Sequence, residues 1–252
     1  MFVSKKSTVL LTIAMLGAGQ NVLAHTTVQT NPNPEGTTVY NNLAIGHGCT
    51  MPDGTHLPVI AESVIWPTVN PIVTTTPTTT VADWSKVFSV TTLAGNPKLV
   101  RSRDVFNNQS SKVDANGNVI GFTSTHGSLE YGTAANGTTA YGAVGLIPFR
   151  TAGIKFGAAG CATSLTVNLA VADYCQADGA VNVWIPTFTT KFTASNVTNP
   201  ADVPDPSPAK LVYNRDLTAN PLPASCGTGF TVTVTPSAAD IDANLPIPAS
   251  AF

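Results

Sequence analysis

Punctuation limits what this chain can fold into more than anything else in it. Short β-type runs are cut off by turn signals along its whole length, with 19 prolines and 20 glycines among 252 residues. Few segments carry the Leu/Glu/Lys/Ala periodicity of an amphipathic helix. His25–Thr30, Gly36–Ile45, Leu57–Trp66 and Trp84–Thr92 read as strands, with Lys98–Ser102 and Val119–Ser124 as weaker candidates. Leu146–Phe149, Gly153–Phe156, Leu165–Cys175 and Ala180–Phe188 form a run of strands joined by short turns, and Phe230–Thr235 is a last one. In Leu165–Val171, Leu and Val alternate with Thr, Asn and Ala, which suits a half-buried strand. Val69–Val81, rich in Thr and Pro, reads as an extended connection, or else as a linker between two domains. Gly127–Gly142 and Pro200–Pro208 read as loops, and the Pro-rich C-terminal tail as weakly ordered. Many short strands with regular turns predict an all-β chain, a sandwich or a barrel.

The N-terminus carries an export pattern. Lys5 and Lys6 precede an apolar run, Val9–Ala18, and Val22-Leu23-Ala24 places small residues at a cleavage site. The apolar run falls short of the roughly 20 residues that span a bilayer. The expectation is a signal peptide over residues 1–24 and one β domain over residues 25–252, in the periplasm, secreted or at the cell surface, with no membrane span after cleavage. Charged residues make up only 10% of the chain and its net charge is −2, so nucleic acid and acidic membranes are poor partners. An oxidising compartment favours pairing the four cysteines, Cys49, Cys161, Cys175 and Cys226. Three pairings are open, and spacing does not choose among them. The C-x₂-C spacing of a zinc site is absent.

Cleavage after Ala24 makes His25 the first residue. An N-terminal histidine offers its α-amine and its imidazole Nδ1 to one metal, closing a chelate ring. The amine's ordinary pKa of about 7.7–8.0 makes deprotonation cheap near neutrality. Nitrogen donors in a tetragonal arrangement suit Cu(II), which tops the divalent affinity order. His47, between a strand and a turn, is a second candidate ligand, or a hydrogen-bonded turn residue. His56 and His126 lie in polar loops. Asp53, in the Met51-Pro-Asp-Gly54 turn, is either a turn former or an oxygen donor. Glu62, inside a strand, is expected to point to solvent. Trp66, Trp84 and Trp184 are core candidates, although a tryptophan face also shields a bound cation. Serine-hydrolase, zincin, phosphate-loop and dinucleotide motifs are missing.

His25-Thr-Thr-Val-Gln29, Ile45-Gly-His-Gly-Cys49 and Leu57-Pro-Val-Ile-Ala-Glu-Ser-Val64, followed by Pro67, resemble the YcnI-like copper-binding domain family. Leu146-Ile-Pro148, Gly153-Ile-Lys-Phe156, Val171-Ala-Asp-Tyr-Cys175 and Val183-Trp-Ile-Pro186 resemble its late strands, whereas Thr68–Gly142 is unlike the family. The resemblance implies an immunoglobulin- or cupredoxin-like β-sandwich with long loops and two disulfides, Cys49–Cys175 and Cys161–Cys226. It implies Cu(II) held by His25 through amine and imidazole, with Trp184 near the metal and an acidic side chain, best matched by Asp53, completing the site. Asp173-Tyr174 departs from the family, which has glutamine before the cysteine. A vaguer resemblance, to methanotroph surface copper proteins of the CorA/MopE type, brings His47, His126 and Trp66 into play.

The expected function is non-catalytic copper handling at the periplasm or cell surface, with a copper donor or acceptor protein as partner. A structural or adhesive surface β-protein without metal is the first alternative. A copper-dependent polysaccharide monooxygenase-like enzyme is the second, which needs a second histidine in the copper plane.

Overall fold

The computed structural model describes residues 26–51, 53–88, 97–127, 132–133, 139–140, 144–177, 179–203 and 209–252. The first half carries β1 (Thr27–Val28), β2 (Asn33–Pro34), β3 (Val39–Ile45), β4 (Cys49–Thr50), β5 (His56–Leu57), β6 (Ala61–Ile65), β7 (Ile72–Thr76), helix α1 (Trp84–Val87), β8 (Lys98–Leu99), β9 (Phe106–Val113) and β10 (Val119–Gly127). The second half carries β11 (Gly132–Thr133), β12 (Thr139–Ala140), β13 (Gly145–Thr151), β14 (Ala162–Asn168), β15 (Ala170–Tyr174), β16 (Val181–Trp184), β17 (Lys210–Asn214), β18 (Phe230–Thr235) and helix α2 (Ala238–Asn244).

Three sheets enclose the main core, in the all-β sandwich expected. Their orders are β1-β3-β13-β8, β2-β17-β14-β18-β7 and β16-β15-β6-β10-β9. The first and third are antiparallel, while the second includes the parallel pairs β14–β18 and β17–β2. Leu43 and Phe149 of the first sheet, Leu165 and Tyr213 of the second, and Val64 and Trp66 of the third meet in one cluster. Trp66 is fully buried and takes Phe122 and Phe149 edge-on at 4.8 and 5.5 Å between ring centroids, the offset geometry aromatic quadrupoles favour. A hydroxyl contact of 2.8 Å between Thr151 and Tyr213 joins the first sheet to the second.

The third sheet is buried on both faces at β6, β15 and β16. Its outward residues Ile65, Ala170, Ala172 and Val183 form a smaller core with Phe192 and with Ile241 and Leu245 at α2. This is why Ala61–Ile65 shows no exposed position. The C-terminal segment is therefore ordered, contrary to expectation. Ser237 caps α2 by accepting from the Asp240 N–H, and two apolar side chains in its last turns have a sheet to cover.

Leu165–Cys175 is two strands rather than one. β14 pairs in the second sheet and β15 in the third, with the crossing at Leu169. The alternation runs on through the corner: Leu165, Val167, Leu169 and Val171 all enter the main core. Alternation reports which face is buried, not which strand is the neighbour. The Thr/Pro stretch is no linker where β7 forms the edge of the second sheet against β18. Trp84–Val87 is a helical turn, because Asp83 caps it through the Ser85 N–H at 2.9 Å; of the strand expected over Trp84–Thr92, residues 89–92 lie outside the described residues. Of the expected Gly127–Gly142 loop, Gly127 ends β10 and four residues form β11 and β12, while the rest lie outside the described residues. The disulfides are Cys49–Cys175 and Cys161–Cys226, as the resemblance implies.

Candidate metal site

Strand pairing lines up one polar residue from each strand of the third sheet. Gln109 is opposite Ser124, Ser124 opposite Glu62, Glu62 opposite Asp173, and Asp173 opposite Asn182. All five are buried, Glu62 at 1% exposure and Asp173 at 0%. The next row on the same face is Phe122, Val64, Val171 and Trp184, part of the main core. A buried polar row beside a buried apolar row is unusual, because each unpaired polar group inside a protein costs roughly 1–3 kcal/mol.

The centre of the row is a carboxyl pair. Directly opposite residues in an antiparallel pair have Cβ atoms about 4.5–5.5 Å apart, so Glu62 and Asp173 face one another. The Thr26 hydroxyl donates to Asp173 Oδ2 at 2.7 Å, and Thr26 is itself fully buried. The oxygens of Glu62, and Asp173 Oδ1, have no hydrogen-bond partner among the described residues other than each other. Burial pushes the Glu62 carboxyl well above the ordinary range, and the neighbouring Asp173 charge pushes it further. Burial also raises Asp173, to about 7, against the Thr26 hydroxyl and Glu62, which hold it down. The pair thus retains a proton at neutral pH.

The rim is set by the disulfide. Cys175 lies two residues beyond Asp173 on the same face, and its bond to Cys49 fixes the chain just after His47. The Cys49 N–H donates to Cys175 Sγ at 3.0 Å. His47 lines a cleft of about 340 Å³ with Thr50, Asn182, Trp184, Thr198, Asn199 and Asp202. Its Nδ1 makes a short contact with the Gly48 carbonyl oxygen. The open edge of β16 is covered by Asn199, whose side chain accepts from the Val183 N–H and donates to its carbonyl, both at 2.8 Å. This amide stands in for a sixth strand.

Of the predicted residues, His47 and Trp184 come together in this cleft. Trp184 is 2% exposed and diagonal to Asp173 across the β15–β16 pair. Asp53 sits in an exposed turn, where its carboxylate accepts from the Thr55 N–H at 2.9 Å, which holds its pKa below the usual range. His25 lies outside the described residues, one position before Thr26. Among the described residues no group of three His, Cys, Asp or Glu side chains is arranged to hold a metal. Glu62 does not point to solvent as expected, because the third sheet has no solvent face at β6. Asp173 entered the sequence reading only as a departure from the family. Parity identifies both: Glu62 shares its side of the strand with Val64 and Trp66, and Asp173 continues the Leu165–Val171 series. No family model, no curated protein and no solved structure matches this chain.

Proposed function

We propose that this is an exported copper-binding protein of the periplasm or cell surface, in which signal cleavage before His25 creates half of the metal site. The observation that supports the reading is the buried anchor of Thr26 on Asp173, beside the oxygens of Glu62, which have no partner but Asp173 among the described residues. It ties the residue after His25 to one of two facing carboxyl groups. A free amine and imidazole from His25 with an oxygen donor from Glu62 or Asp173 is a donor set that suits Cu(II). The residues fit the ion in kind: the carboxyls are buried, face one another, and are short of hydrogen bonds. Trp184 and the Cys49–Cys175 bridge would shield and stiffen the site. Bound copper would supply a redox-capable cation, while the chain's own part is to bind it, keep water from it and release a proton from the carboxyl pair. Asp53 is not needed in this arrangement, and Glu62 takes the acidic role first expected of it.

The test combines N-terminal mass spectrometry of the exported protein with Cu(II) titration. One equivalent is expected to bind the protein that begins at His25. Binding is expected to be lost on His25→Ala or when a glycine precedes His25, and to weaken at least tenfold on Glu62→Gln. Full affinity in the glycine-extended protein would overturn the reading. Absence of affinity beyond that of a generic peptide in the correctly processed protein would favour a structural or adhesive role.

A further inference from the structure

A second polar site lies on the opposite face of the third sheet. Thr123 and Thr125 flank Ser124 in β10, so they point away from the carboxyl pair. They are opposite Ser110 and Asn108 in β9. These four side chains line a cleft of about 370 Å³ together with Asn107, Gln109 and Ala251, and with Arg101 and Arg103 from the loop before β9. The cleft wraps over the edge of the sheet, since β9 is its last strand.

The cleft is held in shape by contacts that do not fill it. The loop with both arginines is clamped between them, where the Ser102 N–H donates to Gln109 Oε1 at 2.9 Å. The Ser102 hydroxyl donates to Asp104 Oδ2 at 2.8 Å, which engages the nearest carboxylate of that loop. Both arginines are exposed. On the other side, His126 ties three polar residues together. Its carbonyl accepts from Asn107 Nδ2 at 3.1 Å, and its ring Nδ1 contacts Asn108 Nδ2 at 3.1 Å and the Thr125 hydroxyl at 3.0 Å. His126 does this at φ 59°, a left-handed conformation that costs a non-glycine residue roughly 1–2 kcal/mol. Strain of this kind persists where surrounding structure imposes it, and it clusters at binding sites.

We infer that this cleft binds a small polyhydroxylated ligand carrying an oxyanion, a uronate or a sugar phosphate, with Arg101 and Arg103 on the anion and the β9–β10 hydroxyls and amides on the hydroxyl groups. Two planar guanidiniums match carboxylate and phosphate geometry. The floor offers more donors and acceptors than a bare anion uses, and a volume within the range of small-molecule sites. It meets the buried polar row only at Gln109, the end of the row farthest in strand order from Asp173 and Asn182, and shares no side chain with the carboxyl pair or the His47 cleft.

The experiment is amide-resolved NMR and calorimetric titration of the exported protein with trigalacturonate, glucose 6-phosphate, neutral maltotriose and inorganic phosphate. Trigalacturonate or glucose 6-phosphate is expected to shift the Asn108, Ser110, Thr123 and Thr125 amides, and the tighter of the two identifies the source of the anion. Arg101→Ala/Arg103→Ala, both exposed positions, is expected to weaken that binding at least tenfold and leave thermal stability and Cu(II) titration unchanged. Asn108→Ala is expected to weaken it without abolishing it. Equal binding of maltotriose, equal binding of inorganic phosphate, or unaltered affinity in the double variant each overturns the inference.

Discussion

Glu62→Gln is a direct test of whether the third sheet carries a built-in cost. Both carboxyls have folded-state pKa values raised above their unfolded values, by burial first. The sign follows from proton linkage. Such a pair contributes stability in full below the unfolded carboxylate range, and that stability is lost as pH rises through the folded values. Asp173 alone, carried from 3.8 to about 7, corresponds to about 4 kcal/mol between pH 4 and pH 8, at ~1.4 kcal/mol per unit. The introduced amide cannot ionise, which limits the pair to the Asp173 charge at any pH, and it can donate to Asp173 Oδ1, an oxygen with no other partner among the described residues. Half of that cost recovered is about 2 kcal/mol, or roughly 4–8 °C in Tm for a domain of this size. The assay is scanning calorimetry of metal-free protein at pH 5 and pH 8. Wild type is expected to lose stability toward pH 8 relative to the variant, and the variant to melt higher there. Subtracting the two profiles removes the carboxylates they share. If the variant melts lower than wild type at pH 8, or the two profiles run parallel, the reasoning about the pair is wrong.

Other outcomes follow from the same structure. Lys112 donates to the Ser63 hydroxyl at 2.8 Å and to the Asn244 carbonyl at the end of α2, and desolvation pushes its pKa down to about 8. The unfolded chain then binds more protons between pH 8 and 10.5, so urea titrations should show wild-type stability rising across that window by up to about 3 kcal/mol, a rise that Lys112→Met abolishes. Replacing Cys49 and Cys175 by serine frees a loop with a sequence separation of 126 and should cost about 2–5 kcal/mol in denaturant midpoint experiments, with weakened Cu(II) binding. A Cβ at Gly121 would stand 2.1 Å from the Val64 carbonyl oxygen, so Gly121→Ala should destabilise by about 1–3 kcal/mol in the same assay.

What the sequence disclosed was faces, and what it hid was partners. Pro and Gly spacing placed β3, β6, β10, β13, β16 and β18 within a few residues, since turn chemistry is local. Phe106–Val113 escaped notice because Asn-Asn-Gln-Ser-Ser carries no apolar alternation. As an edge strand with one neighbour, it needs little apolar surface to stay paired. α1 and α2 were missed because capping by Asp83 and Ser237 overrode the β character or proline content of their surroundings.

The same division explains the candidate site. The inward parity of Leu165, Val167, Leu169 and Val171 was legible, and two further steps along it reach Asp173 and Cys175. Its meeting with Glu62 was not, because that contact depends on the crossing at Leu169, which takes the chain out of the second sheet and into the third. Without the corner, Asp173 would continue β14 beside β17 and β18, far from Thr26 in register. With it, Asp173 lands between a strand carrying a second buried acid and a strand carrying Asn182 and Trp184. A core built only for stability would place apolar residues at Glu62 and Asp173, as the neighbouring row does with Val64 and Val171. Keeping two facing carboxyls there, pinned by Thr26 and short of hydrogen bonds, makes sense when something cationic from the N-terminal side completes them. His25 is the residue next in line, and its amine exists only after the chain before it has been removed.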